Sequence, residues 1–157
     1  MSIEIGSAAP DFSLRGTMSD DPVSLSSFQG EKSVVLLFFP LAWTGVCTTE
    51  MCGIRDSYVR YGELGAEVFG LSVDSPFALK AWAKEEGLNF PLLSDFNKDV
   101  SASYGALYED LIGLKGVSMR AAFVIDKGGV VRYADVLPKA SELPNFDAIQ
   151  EVLAGLE

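Results

Sequence analysis

FFPLAWTGVCTTEMCGIRD, residues 38–56, holds both cysteines of the chain, Cys47 and Cys52. The run before it, Ser33 to Phe39, reads SVVLLFF. A short continuous apolar run of this kind suits a central strand covered on both faces. Pro40 stops it, because proline cannot continue a central strand. From Val46 to Tyr61 the apolar residues follow a helical period. With Cys47 at zero and about 100° per residue, Met51, Ile54, Tyr58 and Tyr61 fall within about 40° of it. Cys47 therefore belongs to the stripe that faces the sheet, in the first turn of its helix. Backbone N–H groups lack partners there and the helix dipole is positive, so a thiolate is favoured.

Cys52 is placed differently. Five residues turn a helix by about 500° and advance it about 7.5 Å. Cys52 points roughly 140° away from Cys47, toward the side of Val59 and Asp56. That spacing lies beyond the roughly 7 Å Cα limit for a disulfide. The two thiols join only if the first turns unwind, which Gly45 and Gly53 would ease. In the preceding loop, Pro40 is placed to shield the sulfur. Thr44 stands three residues before Cys47, within reach of the thiolate or a bound oxygen, and is equally suited to cap the helix. Glu50 stands three residues after it, on the flank of the same face, where an anion also favours a helix N-terminus.

The chain around this stretch is that of one compact domain. It has 157 residues, 48% hydrophobic and 22% charged, which suits a single core over residues 1–157. No apolar run approaches the roughly 18 residues of a membrane span, so no membrane partner is expected. Met1 to Pro10 lacks the pattern of a secretory leader, and the expected address is the cytosol. Twelve Lys and Arg against 22 Asp and Glu give a net charge of −10, which repels phosphate backbones and argues against nucleic acid. Two cysteines and no histidine cannot supply a four-ligand zinc site. They also exclude a Cys–His or Ser–His dyad within the chain. In a reducing compartment such cysteines read as redox or catalytic.

The remaining elements follow from their patterns. Ala8 to Leu14 and Val23 to Phe28 read as extended pieces around a polar turn, an N-terminal β-hairpin extension. Ala66 to Val73 reads as a second buried strand. Ser75-Pro76 marks a helix start, with a helix to about Glu86. Phe90 to Leu93 reads as a short strand and Asn97 to Tyr104 as a short helix. Ala121 to Asp126, the turn KGG and Val130 to Val136 form a hairpin. Asn145 caps a last helix to about Leu156. This is an α/β fold with a central mixed sheet flanked by helices. Its βαβ unit followed by ββα is the order of the thioredoxin-like fold. By default Phe39, Trp43 and Trp82 are core residues. Trp43, Tyr104, Tyr108 and the loop Leu111 to Val117 are also candidates for an entrance or a dimer contact.

P-x-x-x-T-x-x-C, here Pro40, Thr44 and Cys47, resembles the active-site pattern of the peroxiredoxins. FFPLAWTGVC, FPLLSDF at Phe90 to Phe96 and R-x-x-F-V-I-D at Arg120 to Asp126 resemble the alkyl hydroperoxide reductase E branch. CTTEMC resembles the bacterioferritin comigratory protein branch. The resemblance implies a thiol peroxidase acting on hydrogen peroxide, organic hydroperoxides or peroxynitrite, without metal, haem, flavin or other cofactor. It implies that Cys47 attacks the peroxide and becomes a sulfenic acid. Thr44 then hydrogen-bonds the peroxide, Arg120 stabilises charge along the breaking O–O bond, Pro40 shields, and Glu50 orients the arginine. Cys52 resolves the sulfenic acid as an intramolecular disulfide after local unwinding. The alternatives are a one-cysteine enzyme resolved by an external thiol, or a non-catalytic peroxide sensor. The implied reductant is a thioredoxin- or glutaredoxin-like protein or a small thiol, and homodimers form through the active-site loops. A thioredoxin-type oxidoreductase would instead want C-x-x-C at the helix start.

Overall fold

A computed structural model describes residues 3–156. Its frame is a five-stranded sheet in the order Leu92–Ser94, Ala66–Ser72, Ser33–Phe38, Arg120–Ile125, Val131–Leu137. The central strand β3, Ser33–Phe38, is buried throughout, as a run apolar on both faces requires. It pairs in parallel with β4, Ala66–Ser72, and antiparallel with β6, Arg120–Ile125. The edges are β5, Leu92–Ser94, parallel to β4, and β7, Val131–Leu137, antiparallel to β6. The sheet is mixed and the fold is thioredoxin-like.

The two faces of β3 serve separate cores. Val35, Leu37 and Phe39 pack with α1, Gly45–Glu63, and with α2, Pro76–Glu86, and α4, Phe146–Gly155. Val34, Leu36 and Phe38 pack on the other face against Phe12, Leu25 and the short helix α3, Asp99–Ser103. The local signals act as expected at two helix starts. Ser75 accepts the N–H of Ala78 at 3.1 Å with Pro76 following, and Asn145 accepts the N–H of Ala148 at 3.0 Å. Gly70 of β4 is required by close packing. A Cβ there would lie 2.7 Å from Leu92 Cδ2, 3.1 Å from Met51 Sδ and 3.3 Å from Phe39 Cε1. Its bare backbone lets α1 settle onto the sheet.

Several expectations are corrected. The N-terminal pieces pair as β1, Ser13–Leu14, and β2, Val23–Ser24, but Leu25–Phe28 is a 3₁₀ turn rather than strand. Asp11 holds the start of that turn through the N–H of Ser26 at 3.0 Å, and Leu25 is buried there. The strand expected from Phe90 begins at Leu92 instead, after Pro91, which has no N–H for the ladder. Trp43 is 54% exposed rather than core. It sits at φ 73°, an unusual backbone region for a bulky side chain. Tyr104 is not at the entrance. It is buried against Phe38 and Phe123 on the far face of the sheet and donates its hydroxyl to the Pro10 carbonyl at 2.7 Å. Residues 1 and 2 of the N-terminal stretch read for a leader lie outside the described residues. Among the described residues no helix is long and apolar enough to cross a membrane.

Candidate active site

The site forms where strand register brings three elements together. Phe38 pairs with Ala121, so Arg120 stands across from Phe39, beside the end of the central strand. Side chains alternate across a strand, and Arg120 shares a face with Ala122 and Val124. That face meets α1. The guanidinium is thereby directed at the first turns of the helix, from a position 73 residues away in sequence.

Cys47 and Glu50 are fully buried on α1, and Arg120 is 1% exposed. The guanidinium uses three donors on three partners. Nη2 donates to Cys47 Sγ at 3.1 Å, Nη1 to Glu50 Oε1 at 2.6 Å, and Nε to the carbonyl of Ala140 at 2.8 Å. A planar fork fixed at three points cannot swing away from the sulfur. The first intrahelical bond of α1 runs from the N–H of Thr48 to the carbonyl of Thr44 at 2.9 Å. The N–H groups before Thr48 thus start the helix without such partners, beside Cys47.

The electrostatics are those of a shared cation. Burial pushes the Glu50 carboxyl up to about 7, although Arg120 pulls it the other way by charge and hydrogen bond. Its second oxygen, Oε2, is buried and has no hydrogen-bond partner. Burial opposes the charge on Arg120, but Glu50 and Cys47 outweigh it and hold its pKa above the ordinary value. One positive charge therefore faces a thiol and a carboxyl, and the carboxyl is poorly solvated. A sulfur held against a cation in this way is placed to meet an electrophilic oxygen.

The loop before α1 completes the site. Pro40 is buried at the end of β3. Thr44 occupies the N-cap position but makes no side-chain cap. Its hydroxyl donates to the Leu41 carbonyl at 2.8 Å, which leaves the oxygen's acceptor sites for another group. A pocket of about 260 Å³ opens here, lined by Pro40, Leu41, Thr44, Val46, Ile112 and Arg120 among others. Leu111 also lines it, so part of the loop proposed for an entrance is at the site. A larger cleft of about 580 Å³, lined by Asp11, Arg15, Asp95 and Asp99 among others, holds neither cysteine.

Two contributors carry no sequence signal of their own kind. Asp74 accepts the N–H of Ala42 at 2.8 Å and the hydroxyl of Ser72 at 2.7 Å, tying the 40–44 loop to the end of β4. Ala140 acts through its carbonyl alone. The usable clue to Asp74 is its place just after a strand parallel to β3, since loops at the carboxyl ends of parallel strands cluster.

Cys52 is not brought to Cys47. Both lie in one unbroken helix. The Cys52 thiol donates to Glu86 Oε2 of α2 at 3.5 Å, so it faces the end of α2.

A thioredoxin-like α/β fold with a buried helix-start thiol held by an arginine defines a thiol-based redox protein. The comparisons with known proteins agree. Residues 5–134 match the AhpC/TSA family. The chloroplastic 2-cysteine peroxiredoxin of Chattonella marina var. antiqua is 40% identical over 145 residues, covering 87% of this chain and 72% of that protein. Alkyl hydroperoxide reductase E of Mycobacterium tuberculosis is 38% identical over 136 residues, covering 85% and 86%. The crystal structure of the peroxidoxin BcpB from Mycobacterium tuberculosis superposes with a TM-score of 0.86 at 28% identity, covering 99% of each chain. The chain belongs to the AhpC/TSA family.

Proposed function

We propose that this chain is a thiol-dependent peroxidase. Its substrates are hydrogen peroxide, organic hydroperoxides or peroxynitrite, and Cys47 is the attacking thiol. The single observation that carries this is the contact of Arg120 Nη2 with Cys47 Sγ at 3.1 Å, at the start of α1. The Cys47 thiolate attacks one peroxide oxygen, the O–O bond breaks, and water, an alcohol or (from peroxynitrite) nitrite leaves as the sulfur becomes a sulfenic acid. Arg120 is the cation near which the leaving oxygen gains charge. Thr44 lines the same pocket and offers its oxygen to the peroxide proton. Pro40 keeps bulk water from the sulfur, and Glu50 orients the guanidinium. Cys52 then attacks the sulfenic sulfur, giving an intramolecular disulfide and water. A thioredoxin- or glutaredoxin-like protein or a small thiol restores both thiols. We assign the work to a single domain acting in the cytosol, with a second copy pairing through the loops around Trp43 and Ile112.

A one-cysteine cycle is the second reading. It is favoured by the position of Cys52, which contacts Glu86 and shares an unbroken helix with Cys47. Stopped-flow oxidation followed by intact mass separates the two. A loss of about 2 Da in wild type, absent in Cys52→Ser, supports the resolving disulfide. A gain of about 16 Da in both supports the one-cysteine cycle. Retention of peroxide consumption in Cys47→Ser would overturn the assignment of the attacking thiol. Rapid oxidation of Cys47 without turnover by any thiol reductant would point to a sensor.

A further inference from the structure

We propose that Glu86, at the C-terminal end of α2, is a latch that holds Cys52 in the closed helix and sets when it can attack Cys47. This rests on the assignment of Cys52 as the resolving thiol. Three hydrogen bonds join the middle of α1 to residues 86–89. The Cys52 thiol donates to Glu86 Oε2 at 3.5 Å, Arg55 Nη1 donates to the Glu86 carbonyl at 2.6 Å, and Asn89 Nδ2 donates to the Arg55 carbonyl at 3.1 Å.

The backbone around Glu86 is fixed. Gly87 sits at φ 64° as the left-handed cap of α2, with its N–H on the carbonyls of Ala83 and Lys84. The Glu86 carbonyl is one of the last of the helix, without a partner in the next turn. Arg55 fills it and places a cation at the negative end of α2. With the main chain of Glu86 held by Arg55, its side chain turns back onto Cys52. Glu86 is thus a positioning residue, acting through the sulfur it holds.

The chemistry explains why the contact is a gate. Resolution forms an S–S bond and breaks the S–O bond of the sulfenic acid. The hydroxyl leaves as water with the proton of the attacking thiol, so no outside oxidant or reductant enters. The attacking species is the Cys52 thiolate. The groups facing Cys52 are Glu86 of α2 and Arg55 and Asp56 of its own helix. Burial, then the hydrogen bond that the thiol donates to Glu86, push the Cys52 thiol above its ordinary pKa, while Arg55 pulls it down. In the closed helix Cys52 is therefore kept as a thiol as well as turned away from Cys47. Unwinding the first turns must break the Cys52–Glu86 bond, and the same event removes the carboxylate that holds the proton. Movement and activation of the resolving thiol are one step.

The test uses the full chain. In a Cys47→Ser background, iodoacetamide alkylation of Cys52 is followed across about pH 7 to 10, with Glu86 intact and with Glu86→Gln. Glutamine keeps the shape and removes the charge. The latch predicts a profile moved to lower pH and a rate near neutrality about two- to fivefold higher in the glutamine chain, because a larger thiolate fraction is partly offset by lower nucleophilicity. Superimposable profiles would overturn it. With Cys47 present, a single peroxide pulse should give the disulfide faster in Glu86→Gln by a similar factor. Equal disulfide rates would overturn the gate even if alkylation shifts. If alkylation shifts but no disulfide forms in either chain, the resolving role of Cys52 falls and the gate with it, while the hold of Glu86 on the thiol stands.

Discussion

Replacing Glu50 by Gln should stabilise the protein in mildly alkaline solution, although it removes one partner of a buried ion pair. Breaking such a pair usually costs about 3–5 kcal/mol, because the remaining charge is left uncompensated. Two features of this pair act against that rule. Glu50 is fully buried with Oε2 unpartnered, and Arg120 retains Cys47 Sγ and the Ala140 carbonyl as acceptors. The Glu50 carboxyl is raised from 4.5 to about 7, with burial the largest cause. Between those values the folded chain keeps a proton that the unfolded chain has released. Stability therefore falls as pH rises through this window, and the full penalty is present above it.

The magnitude follows from the shift. At about 1.4 kcal/mol per pH unit, the rise from 4.5 to about 7 corresponds to about 3 kcal/mol in all. Most of it, about 2 to 3 kcal/mol, is lost between about pH 5 and pH 8. Glutamine resembles the protonated carboxyl, so the variant should match wild type near pH 5 and exceed it near pH 8 by about that amount. Urea unfolding of both chains at a series of pH values measures this directly, and the difference between the two curves removes the other titrating groups. A variant less stable than wild type by about 3 kcal/mol at pH 8 would show that the ion pair outweighs the desolvation of Glu50 and would refute the reasoning.

Three further substitutions have clear expectations. Arg120→Lys loses the planar fork that reaches Cys47, Glu50 and Ala140 together. The second-order rate with peroxide, by stopped-flow, should fall about 10- to 100-fold, and a rate within a factor of about two of wild type would contradict the role of Arg120. Gly53→Ala places a methyl where nothing lies within 4 Å. It should raise stability by about 1 kcal/mol in urea unfolding and slow the disulfide step seen by intact mass, since α1 opens less readily. Gly70→Ala meets Leu92, Met51 and Phe39, and should cost about 1–3 kcal/mol of unfolding free energy.

The sequence carried the parts of the site that are local and made of side chains. Pro40, Thr44 and Cys47 lie within eight positions on one strand–loop–helix element, and helical period alone put Cys47 against the sheet. Arg120 is a different case. No local pattern links it to Cys47, and only the resemblance to peroxiredoxins pointed to it. Its physical cause is the pairing of Phe38 with Ala121, a register that the sequence does not write down. Asp74 and Ala140 were not legible, because they act through hydrogen bonds that involve the main chain. For Trp43 only the default reading as an interior aromatic fails, because its backbone sits at positive φ in the loop before α1 and the ring is exposed. Thr44 misled in part as well. A threonine at an N-cap position is expected to cap, but here its hydroxyl bonds back to Leu41.

One helix is asked to do two opposed things. The Cys47 sulfur meets Arg120 only while the first turn of α1 is intact, because the burial of Cys47, Glu50 and Met51 on one stripe sets the position of the thiol. The step assigned to Cys52 requires that same turn to open. The composition of α1 suits a helix stable enough for the first task and weak enough for the second. Gly45 and Gly53 bracket Cys47 and Cys52 without any packing need for a bare backbone, since a Cβ at either would meet nothing within 4 Å. Gly53, inside the helix, lowers its stability by about 1 kcal/mol relative to alanine, and Gly45 is its first residue. Beyond them, Ile54 and Tyr61 bury the later turns, and Arg55 ties the helix to α2 at the Glu86 carbonyl. If Cys52 resolves Cys47, opening is expected in the segment that carries the two thiols. If that is the design, hydrogen exchange should be faster in residues 45–53 than in residues 54–63, and Gly53→Ala should slow exchange in the first segment only. Uniform exchange along α1 would mean that the helix has no preferred place to open.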